Sequence, residues 1–262
     1  MVHARDITVR LGRTEVLHGV DFDAAPGKVT AICGPNGSGK TTLLKALTGD
    51  PPHGGRITLN GHDLDGLAPW ELAAIRGVLP QASALAFPFT VLEVVEIGLS
   101  RGRAGHDRRA ALQALARVDL GPHAGRPYQS LSGGEQQRAQ LARVLAQVGA
   151  ASDKDGPRWL FLDEPVSALD IAHQLAVMQI ARDFADDGGG VVTVMHDLNL
   201  TAMFADHVTL LSGGQVLAAG PVAGVMSSET LSRAYGCTLR VGLAPPPGTP
   251  FILPHAASLA AE

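Results

Sequence analysis

Residues 34 to 41 read GPNGSGKT, which has the spacing of a loop that binds phosphate groups. Glycines let such a loop turn its backbone amides inward around an anion, and a helix that follows adds its positive N-terminal end. The context fits, because the buried-strand pattern KVTAIC precedes the loop and the helical pattern TTLLKALTGD follows it. A solvated glycine-rich turn is the alternative. The sequence predicts a nucleotide site in which Lys40 contacts the β- and γ-phosphates and Thr41 places its hydroxyl on Mg²⁺.

Polar side chains follow three other apolar stretches. In WLFLDEP the apolar part is followed by Asp163 and Glu164, GVLPQ ends in Gln81, and VVTVM is followed by His196. Each of them alone is more often an ordinary loop residue, but ligands collect at the carboxyl ends of strands in doubly wound sheets. We expect Asp163 to hold Mg²⁺ through its water shell and Glu164 to activate water as a general base. Gln81 would reach the metal or the water, and His196 the γ-phosphate.

The stretch LSGGEQQR, residues 131 to 138, places two glycines at the start of a predicted helix. Ser132 and Glu135 have the spacing of a capping box, which satisfies free amides at a helix start. The box does not explain Gly133 and Gly134, since glycine costs about 1 kcal/mol relative to alanine inside a helix.

The elements that must position these residues alternate in type along the chain. Residues 1 to 30 alternate polar and apolar side chains, which favours short antiparallel strands, and Asn60-Gly61 indicates a later hairpin turn. From about residue 86 to 149 the sequence is rich in Ala, Leu and Arg, which indicates an inserted helical subdomain. SDKDGP, residues 152 to 157, is predicted to be a loop, and APPPGTP near the C-terminus an irregular surface segment.

Composition excludes several classes of protein. The 262 residues are 45% hydrophobic and 18% charged, as in an ordinary folded protein, and the net charge of −4 argues against a mainly electrostatic nucleic-acid binder. No apolar run approaches the roughly 18 to 20 residues that span a bilayer, and the N-terminus lacks a secretory signal. Cys33 and Cys237 form no disulfide framework or metal spacing. We therefore expect a protein on the cytosolic side.

The motifs and their order resemble the nucleotide-binding subunit of an ATP-binding cassette (ABC) transporter, and the resemblance covers essentially the whole chain. The motifs that carry it are the phosphate loop with its following residue (Gly34, Pro35, Asn36, Gly37, Ser38, Gly39, Lys40, Thr41 and Thr42), Gln81, LSGGEQQR, LFLDEP, SALD (167–170) and His196. The resemblance implies an α/β fold, a P-loop NTPase RecA-like core with an N-terminal antiparallel β subdomain and an inserted α-helical subdomain. The core with the β subdomain would span 1–85 and 150–245, the helical subdomain about 86–149 and a tail 246–262.

The resemblance also implies ATP and Mg²⁺ as ligands and a homodimer as the working unit. In this family the signature segment closes over ATP that is held by a second copy, so the paired glycines would leave room for the partner's nucleotide. The signature residues are Leu131, Ser132, Gly133, Gly134, Glu135 and Gln136. Asp170 would lie along the dimer seam. The sequence departs from the family at Leu11, where many members have an aromatic residue on adenine, and at Val166, where Thr is commoner.

One phosphate loop without a membrane span resembles a separate importer ATPase. HDLNLTAMFADHVTLLSGGQVLAAG is similar to the ATPases of importers for iron–siderophores, haem and cobalamin. LPQASALAFPFTVLEVVEIG, the extra loop 148–157 and the ending YGCTLRV resemble the haem importer subunit most. That resemblance implies haem uptake through two copies of a permease, fed by a periplasmic haem-binding protein. The chain would lie peripherally on the cytoplasmic face of the bacterial inner membrane. A ferric-siderophore or cobalamin importer is the alternative, and a soluble non-transport ABC ATPase is less favoured.

Other classes fit the sequence less well. A DNA-repair ABC ATPase would carry a long coiled coil, a translation factor two cassettes, and a small-molecule kinase would not explain LSGGEQQR or SALD. Phe87 and Phe89 would lie near the groove that receives the permease, or would pack in the helical subdomain. We expect no direct haem binding and no nucleic-acid partner. The arginines Arg101, Arg103, Arg108 and Arg109 are interpreted as a solvated face.

Overall fold

A computed structural model describes residues 1–81, 87–101 and 107–257. Its strands are β1 (Val2–Leu11), β2 (Thr14–Ala24), β3 (Val29–Cys33), β4 (Gly54–Leu59), β5 (His62–Asp63), β6 (Arg76–Leu79), β7 (Ser152–Asp153), β8 (Gly156–Pro157), β9 (Trp159–Asp163), β10 (Gly190–Val194), β11 (His207–Ser212) and β12 (Gln215–Pro221). Its α-helices are α1 (Lys40–Leu47), α2 (Pro69–Ile75), α3 (Val91–Arg101), α4 (Arg108–Arg117), α5 (Gly133–Val148), α6 (Ile171–Asp186), α7 (Leu198–Phe204), α8 (Val222–Val225) and α9 (Ser228–Tyr235).

A six-stranded sheet in the order β12-β11-β3-β10-β9-β6 forms the centre of the fold. Its strands run parallel except for β12, which pairs with β11 as an antiparallel hairpin. Every residue of β3, β9 and β10 is buried, because helices cover both faces and the strands are apolar along their whole length. The buried strands predicted at KVTAIC, WLFLD and GVVTV are therefore confirmed.

A smaller antiparallel sheet in the order β2-β1-β4-β5 holds the N-terminal part of the chain. The turn between β4 and β5 has positive φ at both Asn60 (52°) and Gly61 (84°), as an Asn-Gly hairpin turn requires. The side chain of Asn60 also accepts a hydrogen bond from Trp159 Nε1 at 2.9 Å. The small sheet is thereby joined to the first residue of β9. The predicted antiparallel strands and the hairpin are confirmed.

Helices α3, α4 and α5 pack on one another in the predicted helical region. The C-terminal half of α5 also lies against β6 and β9 of the large sheet. The subdomain boundaries drawn from sequence remain a prediction, since α5 belongs by its contacts to both the helical group and the central sheet.

The loop predicted for residues 152–157 is wrong, because these residues form the hairpin β7–β8. Asp153 accepts a hydrogen bond from the Asp155 amide at 2.9 Å, which closes the turn, and the side chain of Arg158 pairs with Asp153. Asn60 donates to the Pro157 carbonyl at 2.8 Å. Strands of two residues are too short to show an alternation of polar and apolar side chains, so the sequence pattern does not reveal them.

The C-terminal segment packs beside α7 and α9 around an apolar cavity of about 710 Å³, lined by residues such as Leu198, Leu231 and Phe251. The segment APPPGTP contains neither helix nor strand, as predicted. Across the described ranges we find no helix with the length and apolar character that a membrane crossing demands.

Gly77 lets α5 seat directly on β6, and an alanine there tests the contact. An added Cβ would lie 2.5 Å from Val148 Cγ2 and 2.6 Å from Val144 Cγ1. We expect Gly77→Ala to lower the free energy of unfolding by about 1–3 kcal/mol through overpacking, measured by urea denaturation. Gly66→Ala, where no atom lies within 4 Å of the new Cβ, is the control and should change it little. Equal midpoints for the two variants would contradict this packing.

Candidate functional site

The predicted phosphate loop joins the end of β3 to the start of α1. Its backbone has positive φ at Gly34 (144°), Gly37 (78°) and Gly39 (96°), so glycine is required at each position. A Cβ at Gly34 would also lie 2.2 Å from the Leu211 carbonyl oxygen. No side chain caps α1 at Gly39, and its first turn holds no acidic residue. The first amides of the helix are therefore available to an anion.

Lys40 lies folded back on this loop. Its Nζ donates to the carbonyl oxygens of Gly34 and Pro35, each at 2.9 Å, and the side chain is buried. Burial lowers the pKa of the Lys40 ammonium, while Glu164 and Asp163 oppose that shift. An incoming phosphate would replace two carbonyl dipoles with full negative charge, which favours the ammonium form.

The residues expected to hold Mg²⁺ lie together. Thr41 Oγ1 donates to Asp163 Oδ1 at 3.0 Å, and Ser38 Oγ nearby in the loop is buried without a partner among the described residues. Burial raises the pKa of the Asp163 carboxyl, so its charged form is costly without a cation. No group of three His, Cys, Asp or Glu in the described ranges could hold a metal alone. Hydroxyl and carboxylate oxygens completed by phosphate suit Mg²⁺, so the donors fit this ion.

Glu164, Gln81 and His196 are brought into direct contact. Gln81 Nε2 donates to Glu164 Oε2 at 3.0 Å, and His196 Nε2 donates to Glu164 Oε1 at 2.5 Å. Glu164 has φ of 51°, a left-handed conformation that costs a non-glycine residue about 1–2 kcal/mol. At the end of β9 the two adjacent carboxylates therefore have different partners, Thr41 for Asp163 and Gln81 with His196 for Glu164.

A cleft of about 340 Å³ opens over the loop and contains Asn36, Gly37, Gly39, Lys40, Thr41, Thr42, Glu164 and His196. Val16 of β2 also lines this cleft, and the sequence analysis missed it. Leu11, which holds the place where many family members have an aromatic residue on adenine, is 49% exposed and is not among the lining residues. A lone valine on a strand carries no sequence signal for nucleotide contact, so only the fold could reveal it.

The signature segment starts α5 as predicted. Glu135 Oε2 accepts from the Ser132 amide at 2.7 Å and Ser132 Oγ accepts from the Glu135 amide at 3.3 Å, so the capping box is confirmed. The bond from the Ser132 amide lowers the pKa of Glu135. Gly133 has open space around a hypothetical Cβ, which leaves room for a partner. At Gly134 a Cβ would lie 3.1 Å from Leu169 Cδ2, so packing within the same chain explains why this residue is glycine.

The structure does not bring the signature segment to the phosphate loop of the same chain. Gly133 and Gln136 line a separate cleft of about 320 Å³, together with Gln81 and Ser167. A ligand on the phosphate loop therefore lacks the signature residues unless a second copy supplies them.

Asp170 caps α6 by accepting from the His173 amide at 3.0 Å and from His173 Nδ1 at 2.9 Å. This local role accounts for the aspartate, and its place along a dimer seam remains a prediction. Phe89 packs partly buried against the core, and its ring meets that of Phe87 edge-on at 6.2 Å while Phe87 is 68% exposed.

Of the arginines interpreted as a solvated face, Arg108 and Arg109 are exposed. Arg103 and the side chain of Arg101 lie outside the described residues.

Tyr235 is a second residue that the sequence analysis missed. It ends α9, and its hydroxyl lies near the Gly34 amide at the start of the phosphate loop, which opposes the effect of burial on the pKa of that hydroxyl. Burial raises the pKa of the Tyr235 hydroxyl to about 12, so it remains a neutral phenol. The C-terminal helix thereby lies beside the start of the loop.

Replacing Asp163 by Asn tests two roles of the Asp163 charge, which lowers the stability of the free chain and is needed for Mg²⁺-dependent hydrolysis. Asn keeps an acceptor for Thr41 but removes the charge, so we expect Mg²⁺-dependent nucleotide hydrolysis to fall at least about tenfold. The Tm of the nucleotide-free chain should rise by about 2–4 °C, measured by differential scanning fluorimetry. Because the folded pKa of Asp163 is raised, the wild type is penalised only above the unfolded value of 3.8. The rise in Tm should therefore be larger at pH 7.5 than at pH 5.

Asp206→Asn is a control of opposite sign. Burial alone would raise the pKa of Asp206, but bonds from Arg182, the Val29 amide and Lys28 outweigh it and lower the pKa. The charged form therefore stabilises the fold above the unfolded value of 3.8, and Asp206→Asn should lower Tm at pH 7.5. If Asp163→Asn also lowered Tm, the result would contradict the conclusion that the buried Asp163 charge destabilises the free chain.

Comparison with known proteins places this geometry in a family. The sequence profile described as ABC transporter matches residues 17–167. A hemin import ATP-binding protein HmuV of Roseobacter denitrificans is 61% identical over 255 residues, covering 97% of this chain and 98% of that protein. Its counterpart in Rhizobium meliloti is 55% identical over 262 residues, covering 99% and 100%.

Solved structures agree with the fold predicted from sequence. A dimeric bacterial ABC transporter cassette has a TM-score of 0.73 at 28% identity, covering 85% of this chain and 99% of that chain. An inward-facing putative metal-chelate type ABC transporter has a TM-score of 0.72 at 27% identity, covering 89% and 88%. The predicted α/β cassette with antiparallel and helical parts is confirmed. The chain belongs to the ABC transporter family and is one of its ATP-binding, ATP-hydrolysing subunits.

Proposed function

We propose that this chain is the ATP-hydrolysing subunit of an ABC importer that takes up haem across the inner membrane. The observation that carries the catalytic part is the convergence of the phosphate loop, Asp163 and the Glu164 contacts with Gln81 and His196 at one edge of the sheet. The cargo is supported by relatives at 50–62% identity over nearly the whole chain that are named hemin import ATP-binding proteins.

The phosphate loop would bind the ATP phosphates through its inward amides and the start of α1. Lys40 Nζ would exchange its bonds with the carbonyls of Gly34 and Pro35 for the β- and γ-phosphate oxygens. Thr41 and Asp163 would hold Mg²⁺, with Gln81 at its edge, and the ion supplies charge neutralisation of the phosphates when bound.

Glu164 would take the proton of the attacking water. The water oxygen forms a bond to the γ-phosphorus, the bond to the bridging oxygen of ADP breaks, and the proton passes to the Glu164 carboxylate. Each carboxylate oxygen accepts one hydrogen bond, from Gln81 or from His196, and keeps a further lone pair that can accept from the attacking water. His196 is 43% exposed and is free to turn its Nε2 toward the γ-phosphate.

The opposite side of the nucleotide would come from a second copy of this chain. Ser132, Gly133 and the amides that start α5 are donors at a helix N-terminus and lie in a different cleft from the phosphate loop. Two copies placed antiparallel would complete two sites at once, with ATP between them, and Asp170 would lie along their contact. The similar solved cassette is dimeric, which supports the pairing of two copies.

The cargo would pass through two copies of a membrane permease, fed by a periplasmic haem-binding protein, while this chain stays peripheral on the cytoplasmic face. The exposed Phe87 would face the permease. Haem itself would not contact this chain.

Glu164→Gln tests the dimer. The variant keeps the size and hydrogen-bonding capacity of Glu164 but cannot accept the proton, so hydrolysis should fall at least about 10²-fold while ATP stays bound. Light scattering in MgATP should give twice the 27.2 kDa chain mass. Lys40→Ala combined with Glu164→Gln is the control and should remain monomeric. A monomer for Glu164→Gln at saturating ATP would refute the sandwiched dimer.

Growth of a deletion strain tests the cargo. Without this chain, cells should fail to grow on haem as sole iron source yet grow on ferric siderophores. Wild type but not Lys40→Ala should restore growth on haem. Intact growth on haem with a siderophore or cobalamin defect would instead assign the chain to one of those importers.

A further inference from the structure

We propose that Gln137 is a positioning residue that ties the signature helix α5 to the backbone of Glu164. Through this tie, closure of a partner copy over Ser132 and Gly133 would set the geometry of the general base in the same chain. The inference rests on the proposed function, because it assumes that Glu164 activates water and that a second copy meets the start of α5.

The first observation is a direct hydrogen bond. Gln137 Nε2 donates to the Glu164 carbonyl oxygen at 2.9 Å, across 27 positions of sequence. Ser167 Oγ donates to the same oxygen at 3.2 Å, and the Glu164 amide donates to the Val194 carbonyl at 3.2 Å. Since Glu164 is held in a left-handed conformation at φ 51°, bonds from outside its own strand must maintain that conformation.

The orientation of the Gln137 amide is set by its surroundings. Its oxygen is buried and has no partner among the described residues, whereas its nitrogen faces the Glu164 carbonyl. Reversing the amide would place two oxygens against each other. Within the described ranges, only the nitrogen of the Gln137 amide is hydrogen-bonded, and its partner is the Glu164 carbonyl. The side chain is therefore placed to hold the Glu164 backbone.

The second observation is that α5 also holds the strand that leads to Gln81. Gln147 Nε2 donates to the carbonyls of Ala73 and Arg76, each at 3.1 Å, and β6 lies directly on α5 at Gly77. Two residues beyond the end of β6, Gln81 donates to the Glu164 carboxylate. One helix thus reaches the main chain of Glu164 through Gln137 and its carboxylate through β6.

The proposed contact with the partner and the hydrogen bond of Gln137 lie close together on α5. Ser132 and Glu135 fix the start of α5 by their reciprocal capping bonds. Gln137 lies five residues after Ser132, which is about 7.5 Å along a helix axis. A displacement of the helix start would be carried to the Glu164 carbonyl within one and a half turns.

Gln137→Leu tests the tie, because leucine has similar size and no donor. We expect kcat for ATP hydrolysis by the full chain to fall about tenfold or more, with KM for ATP within about twofold. The MgATP dimer formed by Glu164→Gln should survive when Gln137→Leu is added. A raised KM with unchanged kcat, or loss of that dimer, would overturn the positioning role.

Gln174→Leu is the matched control. Gln174 Nε2 donates to the Val166 carbonyl at 3.3 Å, which lies in the same loop two residues after Glu164. Its loss should leave kcat within about twofold of wild type. An equal fall in both variants would mean that the loop as a whole, and not the Glu164 carbonyl, is responsible, and would overturn the inference.

Gln137→Glu adds a pH-dependent test of the hydrogen bond, which a loss of stability alone would not reproduce. As a carboxylate it would repel the Glu164 carbonyl, and as a carboxylic acid it would donate to it. The ratio of its kcat to that of wild type should therefore rise as pH falls from 8.5 to 6, whereas the ratio for Gln137→Leu should stay flat. A flat ratio for Gln137→Glu would count against the bond.

Failure of the inference is distinguishable from failure of the proposed function. If wild type shows no MgATP hydrolysis, the proposed function fails. If wild type hydrolyses ATP and Gln137→Leu matches it in kcat, only the role of Gln137 fails.

Discussion

The parallel register of the central sheet is the constraint on which the site depends. Strand β10 lies between β3 and β9, and Val194 is paired with Ile32 on one side and Asp163 on the other. Strand β6 follows in step, with Leu79 beside Leu162. The residues that come directly after these strands therefore arrive at one edge together. A slip of one residue in any strand would turn its side chains to the opposite face and separate the phosphate loop from the carboxylates.

The charged and hydroxyl side chains of Lys40, Thr41 and Glu164 already have partners in the free chain. Lys40 lies on loop carbonyls, Thr41 on Asp163, and the Glu164 carboxylate on Gln81 and His196. Binding must exchange these bonds for bonds to the nucleotide, so much of the gross interaction offsets what is lost. The raised pKa of Asp163 and the lowered pKa of Lys40 show that burial opposes charge on both groups. Mg²⁺ would bring positive charge next to Asp163, and the phosphates would bring negative charge next to Lys40.

Motifs local in sequence could be predicted, and contacts that depend on the tertiary fold could not. The phosphate loop and the carboxylates after β9 follow from spacing, because their chemistry requires neighbouring residues. Gln137 meets Glu164 across 27 positions, and Tyr235 meets Gly34 from the far end of the chain. A glutamine inside a helix and a tyrosine at a helix end have many ordinary uses, so neither type signals its partner.

Gly134 shows why a correct motif can carry an incomplete explanation. The family resemblance predicts that both glycines of the signature segment leave room for the partner's nucleotide, whereas the structure places Leu169 and the Ala168 carbonyl beside Gly134. Those two residues belong to the same loop as Glu164. The segment that would face the second copy is thus packed, through Gly134 and Gln137, on the loop that carries the general base. A chain built this way would not need a long route of communication between the two composite sites. The surface offered to one nucleotide and the group that activates water at the other share a single packed contact.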